Sequence, residues 1–154
     1  MFQSDYFQYF LQENKNSLIF NPYQILHDNA QTKPVCLCPE ERKKPIKRCI
    51  NNSFEALLEK DIANYVEGFL FWLFPIPHAW NETYEGAWID FTIPDNQSSI
   101  YYGMVIPKEI VIIAATLEEW SLCTGVIQTL AMTRDIQAKK QVFSLFQQYG
   151  YINK

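Results

Sequence analysis

The sequence lacks the features that would direct a chain into or across a membrane. Its longest apolar run, residues 69–77, is far too short to span a bilayer. The first residues contain no basic region followed by an apolar stretch, so we expect no secretory signal. A formal net charge of −4, from 13 Lys and Arg against 17 Asp and Glu, shows no overall bias toward nucleic acid or lipid. We therefore expect a cytoplasmic protein that binds neither nucleic acid nor a membrane.

Low-complexity sequence is also absent, and the composition is that of a folded chain. Hydrophobic residues make up 48% of the chain and aromatic residues 16%, which argues against disorder. A length of 154 residues allows one domain with a substantial core. The sequence therefore predicts a single domain over residues 1–154.

The four cysteines favour free thiols over disulfides or a metal site. Without a secretory signal, disulfides are not expected. Cys36 and Cys38 are the only close pair, and their C-x-C spacing is not that of a zinc knuckle, even with His27 and Cys49 added. Cys123 lies in an apolar helical pattern and is expected in the core. We expect neither a metal ion nor another cofactor.

One of the two histidines lies in a stretch with the pattern of a β-hairpin. Alternation puts His78 and Trp80 on one face of the first strand, and Trp88 and Asp90 on one face of the second. The Tyr-Glu-Gly sequence at 84–86 supplies a turn whose glycine can adopt a positive φ. The histidine and the aspartate therefore belong to neighbouring strands.

The register of this hairpin decides whether His78 meets Asp90. An odd-numbered loop centred on Tyr84 would place the two residues directly opposite, with Cβ atoms about 5 Å apart. A two-residue loop at 85–86 would pair Asn81 with Asp90 and leave His78 out of reach. In contact, the two would form half of a nucleophile-activating triad, because the carboxylate fixes the imidazole tautomer and stabilises its charged form.

Cys49 is the candidate nucleophile. It precedes a predicted helix over residues 50–60, so its thiol would face the free N–H groups of the first turn, which can also bind an oxyanion. Five cations lie within residues 42–48, and with the helix dipole they would favour the thiolate. A solvated turn is the plainer interpretation of these cations, and a nucleic-acid patch is less favoured in an acidic chain. Alone, Cys49 would be interpreted as a small buried residue.

A series of motifs accompanies these three residues: Arg-Cys-Ile-Asn-Asn at 48–52, Tyr-Val-Glu-Gly-Phe at 65–69, His-Ala-Trp-Asn-Glu at 78–82, Trp-x-Asp-x-Thr at 88–92 and Tyr-Tyr-Gly at 101–103. Together they resemble the transglutaminase-like and papain-like cysteine enzymes, including small bacterial and phage proteins of that superfamily. The resemblance covers about residues 45–107. It implies a catalytic triad of Cys49, His78 and Asp90, in the superfamily's order of Cys, His and Asp.

Further side chains are candidates for the site wall or for substrate binding. Trp80 and Trp88 could keep the His–Asp bond dry, although packing is the more common role of a strand tryptophan. Asn51, Asn52 and Gln31 are candidate oxyanion donors. Glu67, on the preceding strand, is expected to face solvent.

The predicted fold is α+β, with an antiparallel sheet of about four strands, the Cys-bearing helix packed on it, and helices at both termini. A strand is expected over 65–73, and Gly68 within it suggests a bulge or a close backbone approach. Residues 28–45 are interpreted as an irregular loop, 100–106 as a strand, and 110–115 as either a strand or the lead into a helix. The helical C-terminal part, 117–149, begins with a capping box at 116–119; a break at 133–135 is left open.

The predicted function is a cysteine-dependent hydrolase or acyl transferase acting on an amide or thioester, with a protein or peptide as a possible substrate. Cys49 attacks the carbonyl, His78 handles the proton and Asp90 orients His78. The alternative is a catalytically inactive member of the same fold that binds or inhibits a partner protein. It is favoured by the lack of a glutamine in the ten residues before Cys49, where papain-like enzymes place an oxyanion donor.

Overall fold

The structure is a computed structural model that describes residues 20–93, 99–121 and 123–152. The described part contains five α-helices: α1 (Pro22–Asn29), α2 (Cys49–Ala56), α3 (Lys108–Ala115), α4 (Val126–Met132) and α5 (Ile136–Gln148). Its six strands are β1 (Gln31–Thr32), β2 (Val35–Cys36), β3 (Ile62–Phe71), β4 (Pro75–Thr83), β5 (Trp88–Ile89) and β6 (Ile100–Ile106). The helix predicted near the N-terminus lies outside the described residues.

The α+β class agrees with the sequence, but the predicted sheet of about four antiparallel strands is wrong. The six strands form one curled sheet in the order β1-β6-β3-β4-β5-β2, and β2 pairs with β5 in parallel. The two unpredicted strands, β1 and β2, have two residues each and lie in the stretch expected to be an irregular loop. Strands this short carry no periodic pattern, and their partners lie more than 50 residues away.

The centre of the sheet is the long ribbon of β3 and β4, with β6 on the other side of β3. β3 is rich in aromatic and aliphatic residues, which suit a strand covered on both faces. Gly68 on β3 lies directly opposite Gly103 on β6. A Cβ atom at Gly68 would collide with the β6 backbone, and one at Gly103 with the ring of Trp80. The close backbone approach suggested for Gly68 is therefore confirmed.

Apolar side chains cover both faces of the sheet. The larger cluster includes residues from all five helices, together with the sheet residues Tyr65, Phe69, Met104 and Ile106. The smaller cluster consists of Val66, Leu70, Trp80, Trp88 and Tyr101. Because it contains the tryptophans of β4 and β5, the hairpin that carries His78 is buried rather than half exposed.

The Cys-bearing helix packs on the sheet as predicted. Its first residue is Cys49, and the carbonyl of Ser53 accepts a hydrogen bond of 2.9 Å from the side-chain amide of Asn81 on β4. Asn81 is fully buried and also donates to the backbone of Asn64 on β3. This buried amide fixes the helix against the ribbon. It thereby places Cys49 beside His78 and Ala79 of β4.

The prediction of a helix that begins near Leu117 is wrong. Thr116, expected to start it, is the C-cap of α3, and the next helix begins only at Val126. Cys123 is consequently exposed on the connecting segment and does not lie in the core. The break expected as one option at 133–135 is present, because Asp135 caps α5 with a 2.9 Å hydrogen bond from the N–H of Ala138.

The turn between β3 and β4 presents three large apolar side chains. Trp72, Leu73 and Phe74 are 70%, 83% and 64% exposed. They follow the end of β3, which lies at Phe71 and not at the expected Leu73. Of the helices in the described residues, none has the length and apolar character needed to cross a membrane.

Candidate active site

His78 and Asp90 are in direct contact, with 2.7 Å between Nε2 and Oδ2. The turn is a three-residue loop, and Gly86 has a φ of 80°. Its register pairs Asn81 with Ile89, which centres the loop on Glu85 rather than on Tyr84. The directly opposed pairing is therefore not formed, and His78 reaches Asp90 diagonally. Diagonal neighbours on one face of an antiparallel pair lie within reach of long side chains.

Asp90 is fully buried and accepts hydrogen bonds on both oxygens. Oδ2 accepts from His78 and from the hydroxyl of Tyr101 at 2.7 Å, and Oδ1 accepts from the N–H groups of Thr92 at 2.8 Å and Ile93 at 3.3 Å. Burial raises the pKa of Asp90, but His78, Tyr101 and the backbone donors bring the pKa below its ordinary value. The carboxylate therefore remains charged beside the imidazole.

Cys49 is placed beside His78 by the turn that begins α2. Lys47 adopts a left-handed conformation with a φ of 63°, which turns the chain into the helix. The half-buried thiol of Cys49 interacts with the His78 side chain and with the backbone N–H of Ala79, and both interactions lower its pKa. Because Asp90 engages Nε2 of His78, Nδ1 is the ring nitrogen available to the sulfur.

These contacts shift the acidity of Cys49 and His78 in opposite directions. Burial raises the pKa of Cys49, but the interactions with His78 and the Ala79 N–H outweigh it, so the thiol pKa is lowered. Burial lowers the pKa of His78, whereas its bonds and charge interactions with Asp90 and Cys49 raise that pKa to about 10. The arrangement favours a thiolate–imidazolium pair, the nucleophilic form of a cysteine–histidine site.

The cations before Cys49 mostly serve as ion-pair partners on the surface. Arg42 bonds to Asp61 at 2.8 Å and to Glu59 at 2.7 Å, and Lys44 lies 3.5 Å from Glu59. The chief influences on the pKa of Cys49 are burial, His78 and the Ala79 N–H rather than these cations. The cationic run therefore suits the interpretation as a solvated turn, and thiolate stabilisation comes from the histidine.

The two candidate wall tryptophans occupy different positions. The indole of Trp80 stacks on His78 with ring centroids 6.0 Å apart and an interplanar angle of 22°. Trp88 packs edge-on against Trp80 at 5.2 Å and donates its indole N–H to Glu82 at 3.2 Å. Trp80 thus contacts the imidazole, and Trp88 supports Trp80. Both are fully buried, which excludes solvent from the His78–Asp90 bond on this face.

The candidate oxyanion donors do not face the thiol. Asn52 donates to the carbonyl of Pro45 at 2.7 Å and to the hydroxyl of Thr92 at 3.0 Å, so it ties α2 to the segment after Asp90. Asn51 bonds at 2.6 Å to Glu55 along the same helix, and Gln31 is exposed on the edge strand β1. The first-turn N–H groups of α2, which have no partner within the helix, remain as candidate oxyanion donors.

A cleft of about 210 Å³ opens beside the imidazole. His78 forms part of its lining, and so does Ile50, which follows the thiol in α2. Further apolar lining residues come from α1, β3 and β4: Tyr23, Leu26, Phe69 and Pro77. The exposed Cys123 also lines the cleft. The cleft therefore offers a mostly apolar space bordered by His78 and by Ile50, the residue after Cys49.

Glu67 is a site residue that the sequence placed incorrectly. It lines the cleft instead of facing solvent, and its carboxylate accepts from the hydroxyl of Tyr65 at 3.0 Å. It also accepts from the N–H groups of Val126 at 2.6 Å and Ile127 at 3.1 Å. Burial raises the pKa of Glu67 to about 7 despite these three donors. A lone carboxylate within an otherwise apolar strand was the available signal.

Comparisons of the chain with protein-family models, with curated proteins and with solved structures find no match. The resemblance to transglutaminase-like and papain-like enzymes therefore remains a prediction from the motifs.

Proposed function

We propose that the protein is a cysteine-dependent hydrolase or acyl transferase that acts on an amide or thioester through Cys49, His78 and Asp90. The observation that carries this proposal is the unbroken series of contacts from thiol to imidazole to buried carboxylate, beside a cleft. Each contact favours the charged state that nucleophilic catalysis needs. Side chains that are adjacent only by chance are not expected to be buried and to interact in this order, as His78 and Asp90 do.

The first half of the reaction forms a covalent acyl-enzyme. The Cys49 thiolate bonds to the carbonyl carbon, and the negative charge moves to the carbonyl oxygen. The first N–H groups of α2 stabilise this oxyanion. When the C–N or C–S bond breaks, the imidazolium of His78 gives its proton to the leaving nitrogen or sulfur, while Asp90 holds the ring in place.

The second half releases the acyl group. Water, or an acceptor nucleophile in a transferase, gives a proton to the now neutral His78 and bonds to the acyl carbon. The C–S bond then breaks, and its electrons return to Cys49 as thiolate. Asp90 stabilises the imidazolium that is formed again, so the thiolate–imidazolium pair is restored.

The second candidate function is a protein-binding module that retains this fold without catalysis. It is favoured by the exposed tip of the β3–β4 ribbon, where three contiguous large apolar side chains suit a contact with another protein. In that case the thiol would have no elevated reactivity, and substitution of Trp72, Leu73 or Phe74 would abolish binding to the partner protein.

Labelling with thiol electrophiles distinguishes the two candidates. We expect substoichiometric iodoacetamide at neutral pH to modify Cys49 before the exposed thiols Cys36 and Cys123, with the site assigned by peptide mass. Cys49→Ala is the matched control and should remove the fast phase only. Modification of Cys36 and Cys123 ahead of Cys49 would contradict the proposed enzyme and favour the binding module.

A further inference from the structure

The cleft beside His78 contains a carboxylate whose role the triad leaves unexplained. Among the described residues that line the cleft, Glu67 is the one carboxylate, and its neighbours there are mostly aliphatic and aromatic. None of the described lysines or arginines forms an ion pair with it. A charge in an apolar wall is costly unless it meets a counter-charge or several donors.

Glu67 lies one strand away from the group that binds the nucleophile. It stands opposite Ala79 in the β3–β4 register, and residues so paired have Cα atoms about 5 Å apart. The N–H of Ala79 donates to the sulfur of Cys49. The hydroxyl of Tyr65 donates to Glu67 at 3.0 Å, and the negative charges of Glu67 and Cys49 both raise the pKa of Tyr65. The carboxylate therefore projects from the strand next to the one whose N–H interacts with the thiol.

The carboxylate is also held in a fixed position. Three donors bind it, from Tyr65, Val126 and Ile127, and a carboxylate has about four acceptor positions. Gly125 borders the same group, and a Cβ atom at that position would collide with it. All three donors are neutral, so above its pKa of about 7 the carboxylate keeps its net charge, and one acceptor position remains for a ligand.

We infer that Glu67 gives this cleft a preference for substrates with a cationic group, an amine or a guanidinium, next to the bond that Cys49 attacks. The inference rests on the proposed function and specifies its substrate class. The apolar walls suit the aliphatic stem of such a group, while the carboxylate binds its charged end. Glu67 acts here as a specificity-determining residue.

Cys49 itself can report the charge preference of the cleft. The probes are three methanethiosulfonates: the cationic aminoethyl, the neutral methyl and the anionic sulfonatoethyl reagents. In each reaction the Cys49 thiolate forms an S–S bond with the reagent, and methanesulfinate leaves with the bonding electrons. Rates are followed by intact mass, with Cys36 and Cys123 replaced by serine so that the exposed thiols do not contribute.

We expect Glu67→Gln to reduce the ratio of the cationic to the neutral rate by about tenfold, the effect of losing one nearby charge in a partly enclosed site. Glu85→Gln is the matched control, because it removes the same charge at the exposed turn, at the far end of β4. It should keep the original ratio. An unchanged ratio in Glu67→Gln would overturn the inference and leave Glu67 as a cap of α4.

A second measurement needs no variant of Glu67. The ratio of cationic to neutral rates cancels the thiolate fraction of Cys49, so any pH dependence of the ratio reports another group. Because burial raises the pKa of Glu67 to about 7, the ratio should fall as the pH is lowered from 8 to 6. A constant ratio overturns the inference. Slow reaction of Cys49 with all three reagents would overturn the proposed function itself, whereas fast but unselective reaction overturns only the charge preference.

Discussion

The hydroxyl of Tyr101 donates to the same oxygen of Asp90 that binds His78, and both distances are 2.7 Å. The tyrosine ring also lies edge-on to the imidazole, with centroids 6.1 Å apart. Tyr101 on β6 thus fixes the Asp90 carboxylate, which also binds His78 on β4. Its position makes it a positioning residue of the triad that acts through Asp90.

Replacing Tyr101 with phenylalanine removes this hydroxyl and keeps the ring. We expect the variant to lose about 1–2 kcal/mol of unfolding free energy, because a buried charged acceptor loses a donor. The alkylation rate of Cys49 should fall severalfold, since Asp90 is held less firmly against His78. Urea unfolding and iodoacetamide kinetics measure the two effects. Tyr84→Phe, in the exposed turn, is the control and should change neither.

Asp90→Asn tests whether the carboxylate acts on the thiol chemistry. The amide oxygen can still accept from Thr92 and Ile93, so we expect the fold to persist. The imidazolium loses its counter-charge, and an equivalent change in a serine triad lowers the rate by about 10⁴. Circular dichroism and the Cys49 alkylation rate, on one preparation, decide the question. A lowered melting temperature with an unchanged alkylation rate would make Asp90 purely structural.

The raised pKa of Glu67 predicts a pH-dependent contribution to the free energy of unfolding. Its pKa is raised from 4.5 to about 7 in the folded chain, so the folded state binds this proton more tightly than the unfolded state. The resulting stability is complete below pH 4.5 and is lost as the pH rises through 7. Relative to the wild type, Glu67→Gln should therefore become progressively more stable over this interval. Urea unfolding at pH 5 and pH 8 gives the comparison, and a difference that does not change with pH would contradict it.

The facing glycines predict where the sheet tolerates no side chain. Gly103→Ala would drive a methyl group into the ring of Trp80, which stacks on His78. We expect a loss of about 1–3 kcal/mol, the usual cost of overpacking, together with slower Cys49 alkylation. Gly150→Ala is the comparison, because its φ of 81° costs about 1–2 kcal/mol without any contact with the site. Equal alkylation rates in both variants would refute the link from Gly103 to His78.

The parts of the fold that the sequence predicted depend on local patterns. Alternation and turn chemistry predicted the hairpin of His78 and Asp90, and the pattern at 100–106 predicted β6. The same patterns could not fix the register, because alternation is satisfied equally by an odd-numbered loop centred on Tyr84 or on Glu85. Strands β1 and β2 were missed since two residues have no period, and the parallel pairing of β2 with β5 joins segments far apart in sequence.

The parts of the site that the sequence missed depend on long-range contacts. Glu67 caps a helix that begins 59 residues later, and this distant cap accompanies a helix start at Val126 where the capping box at 116–119 predicted an earlier one. Tyr101 reaches Asp90 only because β6 pairs with β3 beside the hairpin. A single sequence gives the residue types for such contacts but not the partner. Local patterns placed Cys49 at the start of a helix and His78 and Asp90 on one hairpin, whereas their joint role as a triad stays a prediction.

The pH profile of Cys49 alkylation tests most directly whether His78 holds Cys49 as a thiolate. In the wild type, the iodoacetamide rate should begin to fall only at a lower pH than in His78→Gln, since the interaction with His78 lowers the thiol pKa. In His78→Gln, the rate should fall about tenfold for each pH unit below the ordinary thiol pKa of about 8.5. A wild-type profile that falls in the same way, in parallel with the exposed Cys36, would contradict the account.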